Sequence, residues 1–244
     1  MKAMILAAGL GTRLKPFTDT APKALFEVEG RTLLEWSIRY LKKYGIRDIV
    51  INVHHFPEQI LSFLEVNKGF GMNYEISDER DLLMNTGGAL VKAKDKLSGN
   101  GPFLVMGIDV ITGLDLKKMM GYHHQKRPLV TLAVKDRKTS RSLLFDTEMQ
   151  LRGWRDNKSG VIKGSKDFDQ ALGFSTVHII DPAIFRIMRD KKPFSIMDFY
   201  LQIINIERIL GFRHDESPWF EFGRTEMKAE IVSNPDFKKL LKTL

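Results

Sequence analysis

The sequence contains no cysteine among its 244 residues. That absence excludes disulfides, thiolate catalysis and cysteine–zinc sites, and nothing in the chain demands an oxidising compartment. Long apolar runs are missing as well. No stretch approaches the ~20 apolar residues that a membrane span needs. The first run, Ala3 to Leu10, is too short for a signal-peptide core with its cleavage site, and it leads into a polar glycine loop. Internal repeats, low-complexity segments and Pro/Gly/Ser-rich linkers are also lacking. These absences predict a cytoplasmic protein with no membrane partner.

With 43% hydrophobic and 28% charged residues, the chain has ample material for a core. Its formal net charge of +8 raises the question of nucleic acid, because basic surfaces collect phosphates. The cations are scattered through amphipathic segments, however, and form no single stripe. The tail FKKLLKTL and the pair Lys191-Lys192 read as solvated helix faces. No nucleic-acid partner is expected; cations around a small phosphate-rich ligand account for the same charge.

Runs rich in valine and isoleucine alternate with stretches of helical period. AMILAAG predicts a strand, and TLLEWSIRYLKKYG a helix with Leu34, Ile38 and Leu41 on one face and Gly45 as its stop. DIVINVH, MNYEISDE, PFLVMGID and LVTLAVKD read as strands, with helices at FPEQILSFLEVNKG, NTGGALVKAKDKL and LDLKKMMGYHHQ between them. This alternation predicts an α/β fold, with right-handed βαβ units on a Rossmann-like, mostly parallel sheet flanked by helices. Beyond about Arg137 the rhythm changes. SLLFDTEMQLRGW predicts a hairpin, ALGFSTVHII a strand, and PAIFRIMRD, SIMDFYLQIINIERIL and the C-terminal stretch helices. The expected organisation is one domain, residues 1–244. A nucleotide-type half (1–136) flows without a linker into a substrate-facing half (137–244).

The richest stretch is LAAGLGTRLKPFTDTAPKAL, residues 6–25. Gly9 and Gly11 follow a buried strand, where bare backbone can offer N–H groups to a phosphate. Arg13, Lys15 and Lys23 add cations to the same loop. So many cations with so little bulk suit a polyanion. Two better-known phosphate motifs fail here. The P-loop needs a Lys-Ser/Thr pair where Thr12-Arg13 stands, and the dinucleotide fingerprint needs a third glycine where Leu14 stands.

This string resembles the LxAGxGTRLxPxTxxxPKxL signature of the sugar-1-phosphate nucleotidylyltransferases. Leu6, Ala8, Gly9, Gly11 to Leu14, Pro16, Thr18, Pro22, Lys23 and Leu25 all match it. The chain is similar to the short bacterial members of the N-acetylmuramate-1-phosphate uridylyltransferase type, which lack the left-handed β-helix of longer relatives. The resemblance implies the nucleotide-diphospho-sugar transferase fold, with a small sugar-binding β-hairpin and helical lobe in residues 137–244. It also implies that Arg13 holds the departing pyrophosphate and Lys23 the α-phosphate. The nucleotide-binding set is then Leu6, Ala7, Ala8, Gly9, Gly11, Thr12, Arg13 and Lys23, with Asn85, Thr86, Gly87 and Gly88 against base and ribose. Asp109, at the C-terminal end of the strand PFLVMGID, lies where open α/β sheets put their ligands. An isolated carboxylate is costly there, and a divalent cation is a natural partner. The resemblance makes it a Mg²⁺ ligand and, with Arg13 and Lys23, a catalytic residue.

Several positions depart from the family. Its second metal carboxylate is an aspartate, whereas WFEFGR supplies Glu221, with one more methylene, followed by Arg224. Mg²⁺ wants tight octahedral geometry, so a retracted strand, an intervening water or Mn²⁺ are all open. On the acceptor side the resemblance implies a sugar-phosphate set of Asn157, Lys158, Ser175, Thr176 and Asp198. Asn157 stands for a glutamate, and Thr176 for the glycine of an FSGI-like strand. FSIMDFY (194–200) is similar to the helix closing the acceptor pocket. His54-His55 and His123-His124 read as structural rather than zinc ligands, since neighbours on a strand point to opposite faces, and Met119-Met120 reads as packing.

The implied activity is a metal-dependent nucleotidyl transfer. A sugar 1-phosphate joins an NTP, pyrophosphate leaves, and an NDP-sugar results, such as a precursor of cell wall or surface polysaccharide. The expected partners are those two substrates, with the chain a monomer or homodimer. UTP with an N-acetylated amino-sugar phosphate leads, and GTP with a mannose or heptose phosphate follows. Two rivals remain. A binding or regulatory subunit of the same fold could have lost efficient chemistry, since the departures fall in the site's own motifs. A glycosyltransferase usually needs an Asp-x-Asp motif, and Asp109 is followed two residues on by Ile111.

Overall fold

The apolar run near the N-terminus becomes a central strand because both of its faces are covered. In β1 (Ala3–Leu6), Ala3 and Ile5 pack into one core, Met4 into another. Successive strand residues point to opposite faces, so a strand buried on both sides reads as unbroken hydrophobicity. The computed structural model describes residues 1–99, 101–189 and 192–244.

After β1 come the short strands β2 (Glu27–Val28) and β3 (Arg31–Thr32), helix α1 (Leu33–Lys43), β4 (Asp48–Val53), α2 (Pro57–Val66) and β5 (Asn73–Asp78). Helices α3 (Asn85–Lys92) and α4 (Lys94–Leu97) lead to β6 (Phe103–Gly107), β7 (Val110–Thr112), α5 (Leu116–Lys126) and β8 (Val130–Lys135). The second half holds β9 (Arg141–Phe145), β10 (Leu151–Asp156), β11 (Ile162–Gly164) and the long β12 (Gln170–Ile180). It ends with α6 (Ile196–Ile203), β13 (Ile209–Arg213), β14 (Trp219–Glu221), α7 (Met227–Ser233) and α8 (Pro235–Leu241).

The main sheet runs β11-β10-β9-β12-β6-β1-β4-β5, with β8 also on β12 and β13 on β8. Strands β6, β1, β4 and β5 are mutually parallel, as the βαβ alternation predicts. Strand β12 meets β6, β8 and β9 antiparallel, and β9-β10-β11 is a meander. The change of rhythm after Arg137 is thus the change from parallel to antiparallel pairing. Helix α1 starts as its sequence dictates: Thr32 Oγ1 accepts from the Glu35 amide at 3.1 Å, and Gly45 takes the φ of +73° that ends the helix. Met119 is buried and Met120 packs against the same core, as expected.

Three expectations fail locally. The helix predicted over SIMDFYLQIINIERIL stops at Ile203, and Ile209–Arg213 pairs in parallel with β8 instead. Ile209 and Leu210 are wholly or nearly buried there, so tertiary pairing overrides the helical period. PAIFRIMRD forms only a 3₁₀ turn at Pro182–Arg186. NTGGALVKAKDKL is broken in two at Ala93, whose amide donates to Ala89 and Val91. The Lys191-Lys192 pair read as a helix face falls partly outside the described residues: Lys191 is outside, and Lys192 is not helical. Among the described residues, no helix is long and apolar enough to cross a membrane.

Helix α8 braces the site from behind. Phe237 is fully buried, its ring 5.0 Å from Phe220 and 5.6 Å from Phe222 by centroids. These phenylalanines flank Glu221. Phe237→Ala is expected to cost about 3–5 kcal/mol through the cavity it leaves, read as a lower urea midpoint at unchanged m-value.

Candidate active site

The loop after β1 turns back on itself around Gly11. With φ of 61°, this residue is in the left-handed region, and a Cβ there would meet Thr18 Cγ2 at 2.9 Å and Lys23 Cβ at 3.1 Å. Thr18 is buried, and its hydroxyl donates to the Gly11 carbonyl at 3.0 Å. Loop start and loop end are thereby fastened together, and Lys23 is carried inward. Lys23 Nζ lies 2.6 Å from Asp109 Oδ2, with side-chain exposures of only 9% and 20%. Gly9 differs from Gly11: a Cβ there would meet nothing within 4 Å. Its bareness leaves open cleft, not room for packing.

A cleft of about 670 Å³ opens at the C-terminal ends of β1, β4 and β6, the size of a small-molecule site and its usual place in such sheets. Of the expected nucleotide set it is lined by Leu6, Ala8, Gly9, Gly11, Thr12, Arg13, Lys23, Asn85 and Thr86, and Asp109 stands among them. Ala7 is buried beside it, its amide donating to Asn52 Oδ1 at 2.7 Å. Asn85 has φ of 56°, and its Oδ1 accepts from the Thr86 amide at 2.7 Å.

Gly87 and Gly88 lie behind the lining. The Gly87 amide donates to the Phe194 carbonyl at 2.8 Å, and Thr86 Oγ1 accepts from the Ile196 amide at 2.9 Å. A Cβ on Gly87 would sit 2.2 Å from the Phe194 ring, and one on Gly88 would sit 2.8 Å from the Lys192 carbonyl. These glycines let the start of α3 dock against the segment leading into α6. Bareness here serves lobe contact.

Glu221 comes to the same end of the sheet from β14. It pairs opposite Val110, and the next amide, of Phe222, donates to the Asp109 carbonyl at 2.8 Å. Two carboxylates therefore rise from neighbouring strands. Glu221 Oε1 is 4.0 Å from Arg13 Nη2, both side chains being well exposed, a pair of small energetic weight. No group of three His, Cys, Asp or Glu able to hold a metal occurs among the described residues. Two hard oxygens with the remaining positions left to water and phosphate are a donor set that suits Mg²⁺. The histidine pairs do not converge: His54 Nδ1 meets the Glu79 carbonyl at 2.7 Å and His55 Nε2 the Thr18 carbonyl at 3.0 Å, while His123 is buried against Thr131.

The acceptor set is dispersed. Only Thr176 lines the cleft. Asn157 Nδ2 is taken by the Thr139 carbonyl at 2.9 Å and Ser142 Oγ at 2.7 Å, while its Oδ1 accepts from Arg155. Lys158 is exposed on the turn after β10. Ser175 is fully buried, its Oγ 2.7 Å from His214 Nε2. Asp198 is exposed and pairs with Lys163 at 3.1 Å.

Other residues occupy the cleft that the sequence reading did not single out. Asn52 and Glu79 form a buried bridge: Asn52 Nδ2 donates to Glu79 Oε1 at 2.8 Å, and the Met84 amide donates to Oε2 at 2.9 Å. Burial raises the Glu79 pKa, and the two bonds oppose that. An asparagine inside the apolar strand DIVINVH was the available signal. Phe174, His178, Pro193 and Ile196 also line the cleft. Arg137 lies 4.0 Å over the Trp219 ring and donates to the Phe174 carbonyl at 2.8 Å. Burial lowers its pKa while Glu221 raises it. A further hollow of about 720 Å³, between Lys2, Tyr44, Leu97 and Lys117, contains none of the expected site residues.

His178 Nδ1 and the buried Tyr200 hydroxyl are 2.7 Å apart, and burial pushes the His178 pKa down to about 3. The folded state then refuses a proton that the unfolded chain accepts below about pH 6.5. Its stabilising contribution is complete above that pH and is lost as pH falls towards 3. His123 and His214, both lowered to about 4, act in the same direction. Stability should fall on acidification below pH ~6.5, and His178→Gln should flatten the slope by about 1.4 kcal/mol per pH unit, measured by urea unfolding across pH.

Comparison with known proteins agrees with this geometry. The pattern of the nucleotidyl transferase family matches residues 2–143. The N-acetylmuramate alpha-1-phosphate uridylyltransferase of Caulobacter vibrioides is 41% identical over 233 residues, covering 93% of each chain. That of Neisseria meningitidis serogroup B is 43% identical over 115 residues, 47% of this chain and about half, 49%, of the relative's length. In fold, the chain is similar to a putative glucose-1-phosphate thymidylyltransferase from Bacillus anthracis, with TM-score 0.79 and 18% identity over 98% of this chain and 99% of that one.

Proposed function

Because the chain belongs to the nucleotidyl transferase family, we propose that it joins a sugar 1-phosphate to an NTP, releasing pyrophosphate and forming an NDP-sugar. The observation that carries this reading is the largely buried Lys23–Asp109 pair at 2.6 Å in a cleft rimmed by Gly9, Gly11 and Arg13. A site for a neutral ligand has no use for such charge density. UTP and an N-acetylated amino-sugar 1-phosphate are the substrates, by likeness to the Caulobacter relative, over 93% of both chains. The product would serve cell-wall or surface-polysaccharide synthesis in the cytoplasm.

The reaction is an in-line displacement. A phosphate oxygen of the sugar 1-phosphate attacks the α-phosphorus of the NTP; the new O–P bond forms as the bond to the β-phosphate oxygen breaks, and pyrophosphate carries off the electron pair. No general base is required, because the attacking phosphate is already ionised near neutral pH. The work left to the protein is positioning and charge neutralisation. Amides of the loop 8–12 face the triphosphate, Arg13 holds the leaving pyrophosphate, and Lys23 turns from Asp109 to the α-phosphate. Asn85 and Thr86 border the base and ribose. Asp109 and Glu221 would hold a divalent cation, Mg²⁺ or, given the longer Glu221, Mn²⁺, which supplies further neutralisation of the phosphates. Lys158, exposed on the turn after β10, is the cation offered to the acceptor phosphate. Thr176 borders the acceptor, and the residues 137–244 form its lobe.

The test is pyrophosphate release, coupled to pyrophosphatase, across four NTPs and several sugar 1-phosphates with Mg²⁺ or Mn²⁺. Turnover with one pair is expected, with Lys23→Ala and Asp109→Ala each lowering kcat by about 10²–10³-fold. Silence across the grid with NTP still bound would favour a binding subunit instead. Wild-type-like turnover in either variant removes that residue from the chemistry.

A further inference from the structure

Thr176 carries two costs that a glycine at the same position would avoid. Its φ is 56°, where a β-branched side chain crowds its own backbone. It sits at the irregularity in the pairing of β12 with β8, between Phe174 and His178. In addition, its Oγ1 is buried and finds no hydrogen-bond partner among the described residues. Buried polar groups are nearly always paired. A strained backbone and an orphaned hydroxyl beside one cleft call for a partner that becomes free when the ligands are bound.

The geometry names that partner. A Cβ built on Gly107 would lie 3.0 Å from Asp109 Oδ1 and 3.1 Å from Thr176 Oγ1. The two oxygens flank one point over Gly107 and can be no farther apart than the sum of those distances. Asp109 Oδ2 is held by Lys23 at 2.6 Å, while no hydrogen bond reaches Oδ1 from the described residues. The sheet order adds direction. Strand β12 borders β6 on the side away from β1, and Val177 pairs opposite Met106, which sets Thr176 alongside Gly107.

We propose that Thr176 is the positioning residue for Asp109. When Asp109 carries a divalent cation and Lys23 has turned to phosphate, the Thr176 hydroxyl donates its hydrogen bond to the Asp109 carboxylate and fixes its orientation. No bond is made or broken; one hydrogen bond, from Lys23, is exchanged for another. This inference rests on the reading of Asp109 as a metal carboxylate. Groups that orient metal ligands are worth about 10–100-fold in metal affinity.

The experiment is a Mn²⁺ titration of the full chain by electron paramagnetic resonance, alone and with saturating UTP. It compares wild type with Thr176→Val, Thr176→Ser and Thr176→Gly. Valine keeps the β-branch, so the backbone cost is held constant and only the hydroxyl is lost. Thr176→Val should weaken Mn²⁺ binding about 10–100-fold while Thr176→Ser stays within about twofold of wild type. Thr176→Gly should bind Mn²⁺ as poorly as the valine variant yet melt at a higher temperature, because strain is relieved. Wild-type Mn²⁺ affinity in Thr176→Val overturns the inference, as does a raised sugar KM with unchanged affinity. Wild-type protein that binds no Mn²⁺ in either condition overturns the metal reading itself, a distinct result.

Discussion

A lysine and an aspartate from distant parts of the chain, 86 residues apart, sit at 2.6 Å in a nearly closed setting. Taking two charges out of water is expensive, and their mutual attraction offsets it only while both are present. In the Lys23–Asp109 pair each group serves as counterion for the other. A polyanionic substrate suits Lys23, and a divalent cation suits Asp109. Were an anion and a cation to enter together, neither side chain would be left as an isolated charge in that setting. Much of the surrounding architecture follows from the need to hold that pair. Gly11 and Thr18 fold the loop so that Lys23 points inward, and the turn from β6 into β7 is locked to β14 by the Phe222 amide.

The same dependence explains the brace behind the site. Glu221 belongs to a strand of only three residues, too short to define its own geometry. Its position is set from outside, by pairing with β7 and by Phe220 and Phe222 packing on Phe237. A helix near the C-terminus thus fixes a carboxylate at the C-terminal edge of the sheet. Thr86 bonding to the Ile196 amide, and Gly87 to the Phe194 carbonyl, join the nucleotide side to the acceptor side in the same way. The two halves share a cleft because their joints lie next to it.

What could be read from the sequence follows the range of the interactions involved. The glycine loop was legible because paired glycines, a cation run and a preceding apolar strand are all local signals. The parallel half was legible for the same reason. The Asn52–Glu79 bridge was not, because a bond across 27 residues leaves only a polar residue in an apolar strand as its mark. The ILGFR segment misled through its periodicity, since nothing local announces that β8 has a free edge waiting for it. On the acceptor side, alternation and spacing gave the hairpin and the long strand correctly, but not which side chains face inward. Ser175 and Thr176 are adjacent, and the strand irregularity turns one into the core and leaves the other on the cleft.

The departures from the family signature gather at positions 157, 176, 221 and 224, whereas the glycine loop matches throughout. There is a physical reason for that division. A triphosphate is recognised by backbone amides and point charges, whose geometry is dictated by the phosphates and admits few substitutes. Positions 157 and 176 lie on the antiparallel side of the sheet, where a side chain can change without unseating the loop. Asn157 shows how such a position can be redirected: its amide now ties Thr139 and Ser142 together within the hairpin, so it stiffens the lobe where a carboxylate would face sugar hydroxyls. The departures fall on the acceptor strands and at the second carboxylate and leave the glycine loop untouched, and a loss of chemistry would leave the largely buried Lys23–Asp109 pair as a cost without a return.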